Sequence, residues 1–374
     1  MTVEFAGDAD RRVRGALWAL TIVGRVLISI LVPLLAFAIL WQGFLFLRQN
    51  DAPKVVTGVI AVVWGVGGVA AIYWVMNWFL ARLPERVGSR ILPYLFVGPA
   101  MAILIWFLAL PTLRTFWISL FNADSSTFVG LDNYVSIFTN PAMLEVFRNN
   151  FLWLVIGTTL VVGLGLMIAV LADQSRFESL AKAIIFMPMA ISFVGAGIIW
   201  NFVYEVRQPG DPQIGLLNTI VTSLGGQPQA WTALLQPWNN LFLIVIMVWL
   251  QVGFAMVLFS AAIKGIPAEL TEAARVDGAT ERQVFARVTV PMIRGTLITV
   301  ATTTIILTLK IFDVVIVMTG GQFGTGVIGT EFYRQYFVNR NFGVGSGLAI
   351  LLLIAVIPVM IYNLRRFRGQ AGFR

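Results

Sequence analysis

Residues 241–263 read LFLIVIMVWLQVGFAMVLFSAAI, and residues 264–294, which follow directly, read KGIPAELTEAARVDGATERQVFARVTVPMIR. The first stretch carries no charge and exceeds the roughly 20 apolar residues that a helix needs to cross a hydrocarbon core of about 30 Å. The second mixes Glu, Arg and Asp with Ala, Leu and Val, so it belongs in water beside the membrane. Seven further stretches have the character of the first, or nearly so: roughly 26–47, 55–80, 92–110, 151–172, 183–203, 295–317 and 347–362. The reading is an all-α, polytopic membrane protein with about eight transmembrane helices.

Composition agrees with this. Of 374 residues, 58% are hydrophobic and 12% charged, where a soluble domain carries roughly 25% charged residues; the mean hydropathy is +0.85. The absence of Cys and His excludes disulfides, thiolate nucleophiles, imidazole bases and Cys- or His-ligated metal sites. No metal ligand set and no catalytic residue is expected.

The net charge of +8 is a matter of topology. When eight spans are threaded from a cytoplasmic N-terminus, the inner segments hold eighteen of the 26 Lys and Arg, beginning with Arg11, Arg12, Arg14 and Arg25. That bias puts both termini in the cytoplasm and leaves no basic stripe for nucleic acid. The first apolar stretch is too long for a signal peptide and reads as a retained anchor. Three connecting segments are long: 111–150 and 204–240 outside, and 264–294 inside.

Within 264–294, Pro267 suits a first helical turn, residues 268–277 are good helix formers, and Gly278 suits the position after a helix end. A second helical stretch runs on to Val290-Pro291. The expected loop is therefore two short helices meeting at a sharp turn. In this loop Glu272-Ala273-Ala274, three residues, Gly278, nine residues, Val288, one residue and Val290-Pro291 resemble the EAA loop of binding-protein-dependent ABC import permeases. Val288 and Val290 stand where the family has Ile and Leu.

Further resemblance to carbohydrate permeases lies in Val129-Gly130-Leu131-Asp132-Asn133-Tyr134, Asn149-Asn150-Phe151, Leu309-Lys310-Ile311-Phe312-Asp313 and Met318-Thr319-Gly320-Gly321. The terminal Ile357-Pro358-Val359-Met360-Ile361-Tyr362-Asn363 is similar to alpha-glucoside permeases. The resemblance implies a six-helix permease core over 91–374 with a cytoplasmic coupling loop at 264–294. Residues 1–90, a tail and two extra helices, look like the extension of the eight-span maltose-type subunit, without its large external insertion.

By that resemblance Glu272, Ala273, Ala274, Asp277, Gly278 and Pro291 are the residues that couple to an ATPase. It also implies the partners: a dimeric ABC ATPase that uses ATP and Mg, a second and unlike permease forming a heterodimer, an external solute-binding protein, the lipid bilayer and a carbohydrate. This chain binds no cofactor. Its four lysines, Lys54, Lys182, Lys264 and Lys310, none preceded by glycine, cannot complete a phosphate-binding G-x-x-x-x-G-K-[ST] loop. The run Gly324-Thr325-Gly326-Val327-Ile328-Gly329 matches G-x-G-x-x-G, but no strand precedes it and it reads as coincidence.

A sugar path needs neutral hydrogen-bonding groups and aromatic faces. Span six offers Trp249, Gln251 and Phe254; span seven offers Thr304, Thr308 and Ile311 at i, i+4, i+7. Gln251, Phe254, Thr304 and Thr308 fall where the maltose permease contacts sugar. Lys310 and Asp313, spaced i,i+3, are expected to form an intramembrane ion pair. Two rivals are weighed: an ion-gradient-driven secondary transporter using Asp313, and a membrane-embedded enzyme built on Asp124, Asp132 and Glu145.

Overall fold

The computed structural model describes residues 35–49, 53–80, 85–208 and 210–371. Arg11, Arg12, Arg14 and Arg25, and the start of the first expected span, lie outside the described residues. Contacts divide the chain into two compact units, 1–111 and 112–374.

The first unit holds α1 (Leu35–Gln49), α2 (Lys54–Leu80) and α3 (Glu85–Leu104). Trp64 lies over Gly43 and donates its indole N–H to the Leu40 carbonyl at 3.4 Å, and Tyr73 stacks on Phe96 with ring centroids 5.6 Å apart. Almost nothing in α2 is buried, as suits apolar side chains meant for lipid rather than for a protein core.

The second unit contains α4 (Asp132–Thr139), α5 (Pro141–Asp173), α6 (Glu178–Ala190), α7 (Phe193–Tyr204), α8 (Leu216–Ser223), α9 (Trp238–Lys264), α10 (Ala268–Val276), α11 (Glu281–Met292), α12 (Arg294–Leu309), α13 (Asp313–Met318), α14 (Ile328–Tyr333) and α15 (Phe342–Ala371). Helix α9 is its axis: Leu243, Ile244, Met247, Met256 and Phe259 are fully or almost fully buried. Trp153 and Val161 of α5, Ala196 of α7 and Val300 of α12 join the same core. At about 1.5–3 kcal/mol for each large side chain removed from solvent, these contacts assemble the bundle around α9.

Among the described residues five helices are long and apolar enough to cross a membrane, and up to seven if each of two bent pairs counts as one span. Helix α1, Leu35–Gln49, is a shorter apolar helix within the first expected span. Several expected boundaries are corrected. Span 151–172 starts at Pro141, because the Asn140 side chain accepts the Ala142 N–H at 2.9 Å and Pro141 occupies the first turn. The short last span, 347–362, is the middle of α15, whose 30 residues begin at Phe342.

Span 183–203 is not one helix. Helices α6 and α7 meet at 105°, because Pro188 sits in a 3₁₀ turn and Ser192 caps α7 by accepting the Gly195 N–H at 3.0 Å. Span 295–317 is likewise interrupted. Helix α12 ends at Leu309, Phe312 has φ −146° and ψ −55°, and α13 begins at Asp313. Lys310 and Asp313 thus stand on different helices, and the expected ion pair does not form: no hydrogen bond or salt bridge joins them.

Candidate functional site

The 264–294 loop forms the expected helix, turn and helix. After α10 the Gly278 N–H bonds the Arg275 carbonyl and the Ala279 N–H bonds the Ala274 carbonyl, both at 3.0 Å, with Gly278 at φ +81°. This is a Schellman closure, which places a left-handed residue just beyond the helix end, and glycine takes that conformation without penalty. Thr280 then opens α11 through a capping box with Gln283. Across the turn, Arg275 Nε lies 2.7 Å from Glu281 Oε1 and Arg275 Nη2 lies 3.2 Å from Glu281 Oε2. That hydrogen bond holds the Glu281 carboxyl below its usual range.

The other predicted loop residues fall on this frame. Asp277 is the C-cap of α10, and Pro291 lies just before the 68° bend from α11 into α12 at Ile293. No residue of α10 is buried. Glu272 and Ala273 face outward with Val276, which is 87% exposed. Glu272 accepts no hydrogen bond among the described residues. Behind the turn lies a cleft of about 370 Å³ lined by Ala274, Asp277, Gly278, Ala279, Gln283, Arg287 and Val288. A stiff elbow with an exposed carboxylate that accepts no hydrogen bond and an exposed valine can dock as one body into a partner's cleft. Val276 was missed in the sequence, although it lies on the same helix face as Glu272 and Ala273 at helical spacing.

The residues proposed for the sugar path divide. Gln251 is buried with its amide making no hydrogen bond among the described residues, and Phe254 and Trp249, half-buried, lie one turn or less away on α9. Trp249 meets Trp200 edge-on at 5.8 Å. Thr304 and Thr308 instead bond their own helix, to the Val300 and Thr304 carbonyls at 2.9 and 2.8 Å, and both are buried. Ile311 is buried in the break after α12.

At the far end of α5 and α9 from this elbow, a third set of residues holds the 319–328 loop. Asn149 Nδ2 donates to the Gly324 and Gly326 carbonyls, each at 2.8 Å. Asn150 accepts the Ile328 N–H at 2.6 Å and donates to the Leu309 carbonyl at 3.4 Å. Asn239 donates to the Phe323 carbonyl at 2.6 Å, and Gln236 bridges Glu145 and the Gly324 carbonyl. Non-helical backbone among apolar helices must be satisfied by the protein itself, and these amides do so. The Asn149-Asn150 pair carries that role, and in the glycine run at 324–329 the Gly324 and Gly326 carbonyls are engaged by side chains.

The three carboxylates weighed for an enzyme serve separate local roles. Asp124 accepts from Ser126, Glu145 from Gln236, and Asp132 opens α4; no group of three metal-binding side chains converges among the described residues.

Residues 161–368 match the family described as "Binding-protein-dependent transport system inner membrane component". The osmoprotective compounds uptake permease protein GgtC of Synechocystis is 55% identical over 280 residues, covering 75% of this chain and all of that one. The alpha-glucoside transport system permease protein AglF of Rhizobium meliloti is 42% identical over 333 residues, covering 85% and 99%. The fold is similar to a chain of a bacterial ABC transporter that imports the polysaccharide alginate, with TM-score 0.65 and 21% identity over 76% of this chain and 99% of that one.

Proposed function

This chain belongs to the binding-protein-dependent transport system inner membrane components, and we propose that it is the permease subunit of an ATP-driven importer carrying an alpha-glucoside or another small, neutral, hydroxyl-rich solute. The observation that carries this reading is the 265–293 elbow, closed in its backbone and exposed at Glu272 and Val276. A dimeric ABC ATPase would receive it, and nucleotide-driven closure would move α9 and α12, which adjoin it directly. An external binding protein would deliver solute at the opposite end, and a second, unlike permease would complete the pathway. The positive-inside bias supports a cytoplasmic elbow and cytoplasmic termini, with residues 1–90 as an extension to a core of 91–374.

Gln251 is the polar group best disposed to meet a hydroxyl, since its amide is uncommitted, with Phe254 and Trp249 supplying apolar faces. The relatives support an ATP-driven importer over a gradient-driven carrier, and Asp313 in a broken helix without its lysine offers that carrier no coupling pair. The test is uptake of a labelled alpha-glucoside into proteoliposomes containing the complex purified from native membranes through this chain. Uptake that requires ATP inside and binding protein outside is expected. Uptake driven by an ion gradient without ATP would overturn the reading.

A further inference from the structure

Where α5 ends, α6 begins and α9 ends beside the elbow, five side chains form one polar cluster. The Lys182 ammonium bonds Asp173 at the end of α5, Glu178 one turn back on α6, and Ser260 on α9. Ser260 itself donates to the same Asp173 oxygen at 2.7 Å. One turn beyond Ser260, Lys264, the last residue of α9 before the elbow, bonds Glu178. Above the cluster the three helices are pressed together at two glycines. A Cβ on Gly253 would lie 2.4 Å from the Ile185 carbonyl oxygen, and one on Gly165 would lie 2.5 Å from the Ala255 Cβ.

Two features set this cluster apart from packing. An ion pair drawn out of water is a poor device for stability, because well-packed apolar side chains do as well or better, and Lys182 and Asp173 are only 17% and 14% exposed. In addition, the second Asp173 oxygen, Oδ2, is buried without a hydrogen-bond partner. The cluster therefore holds an acceptor that its two ammonium groups do not use in this arrangement. Lys264 lies on the same face of α9 as Ser260, which already touches Asp173, so it can pass from Glu178 to Asp173 without leaving the cluster.

We infer that the Asp173–Glu178–Lys182–Ser260–Lys264 cluster is the joint that converts displacement of the elbow into movement of the core helices, with Lys264 exchanging between the two carboxylates as the transporter changes state. When a partner pulls on residues 265–293, the load reaches α9 through Lys264. Glu178 and Lys182 share it with α6, and Asp173 with α5. These are positioning residues, and their loss separates ATP use from transport without removing the ATPase's docking site. The inference rests on the importer reading above.

The experiment compares ATP hydrolysis and solute uptake in the complete complex in proteoliposomes for wild type, Lys182→Met, Asp173→Asn, Lys182→Arg and the peripheral Lys264→Met, with complex yield recorded for each. Lys182→Met and Asp173→Asn are expected to raise the ATP hydrolysed per solute imported at least fivefold at unchanged yield, Lys264→Met to raise it less, and Lys182→Arg to restore coupling. An unchanged ratio overturns the inference, whether both rates fall together or neither moves. If the two core variants do not assemble, Lys264→Met decides the matter by the same ratio. Failure of wild type to import with ATP would instead overturn the importer reading, so the two failures are distinguishable.

Discussion

The two irregular segments at opposite ends of α9 are built on opposite principles. The 319–328 loop has its backbone satisfied from within: Asn149, Asn150, Asn239 and Gln236 reach it from other helices, and Thr325 and Val327 in it are fully buried. The 265–293 elbow satisfies only its own backbone, through the Schellman closure and the Thr280 capping box, and leaves Glu272 and Val276 exposed. The difference separates a segment completed by its own chain, which holds a shape, from a stiff one whose exposed side chains are, on the proposed function, left for another subunit.

The contrast breaks most visibly at the elbow. Glu272→Lys with Gly278→Asp is expected to lower uptake by about 100-fold, near the upper end of a 1–3 kcal/mol coupling energy, while the unfolding temperature in detergent changes little. A Cβ at Gly278 meets nothing within 4 Å, so the cost there is confined to the left-handed backbone. ATPase that still co-purifies at wild-type levels with full uptake would show that the elbow is not the interface.

Asn149→Ala should have the reverse signature. It strips the Gly326 carbonyl of its donor, whereas the Gly324 carbonyl keeps Gln236, and at about 1–3 kcal/mol for an unsatisfied buried group the loss is about 1–3 kcal/mol, read as a lower unfolding temperature with the ATPase still bound. A smaller effect is expected from Thr280→Ala, which removes the α11 cap at about 1 kcal/mol and should speed hydrogen exchange over 281–284 but not over 319–328.

The smallest effect concerns pH. Because the Arg275 hydrogen bond lowers the Glu281 pKa, that pair contributes at every pH above the unfolded glutamate value and is lost as pH falls through the lower, folded one. Hydrogen exchange at residues 275–281 should therefore stay slow at neutral pH and quicken only below the ordinary carboxylate range. Glu281→Gln should abolish the step.

What could be read in advance follows the range of the forces involved. The elbow was legible in full outline because Pro267, Gly278 and the helix formers between them act on their immediate neighbours. Span existence was legible because apolar length alone determines it. The interruptions were not. The break at 191–192 left a local trace, Ser192 ahead of Gly195, hidden within an apolar run. The break at 310–312 left none, since the amide that receives the Leu309 carbonyl comes from Asn150, which also binds Ile328 N–H across 178 positions of sequence. Lys310 and Asp313 were paired on the premise of a continuous helix, and that premise failed with the helix.

By itself, then, the sequence determined that the chain is an all-helical membrane protein with an elbow of known geometry, because hydropathy and helix-end chemistry are properties of neighbouring residues. Only the tertiary structure decided where the spans break, that Thr304 and Thr308 serve their own helix while the Gln251 amide stays uncommitted, and that Asp173, Lys182 and Ser260 meet. Those outcomes depend on which donors and acceptors three-dimensional packing brings within 3 Å, and sequence separation places no limit on that.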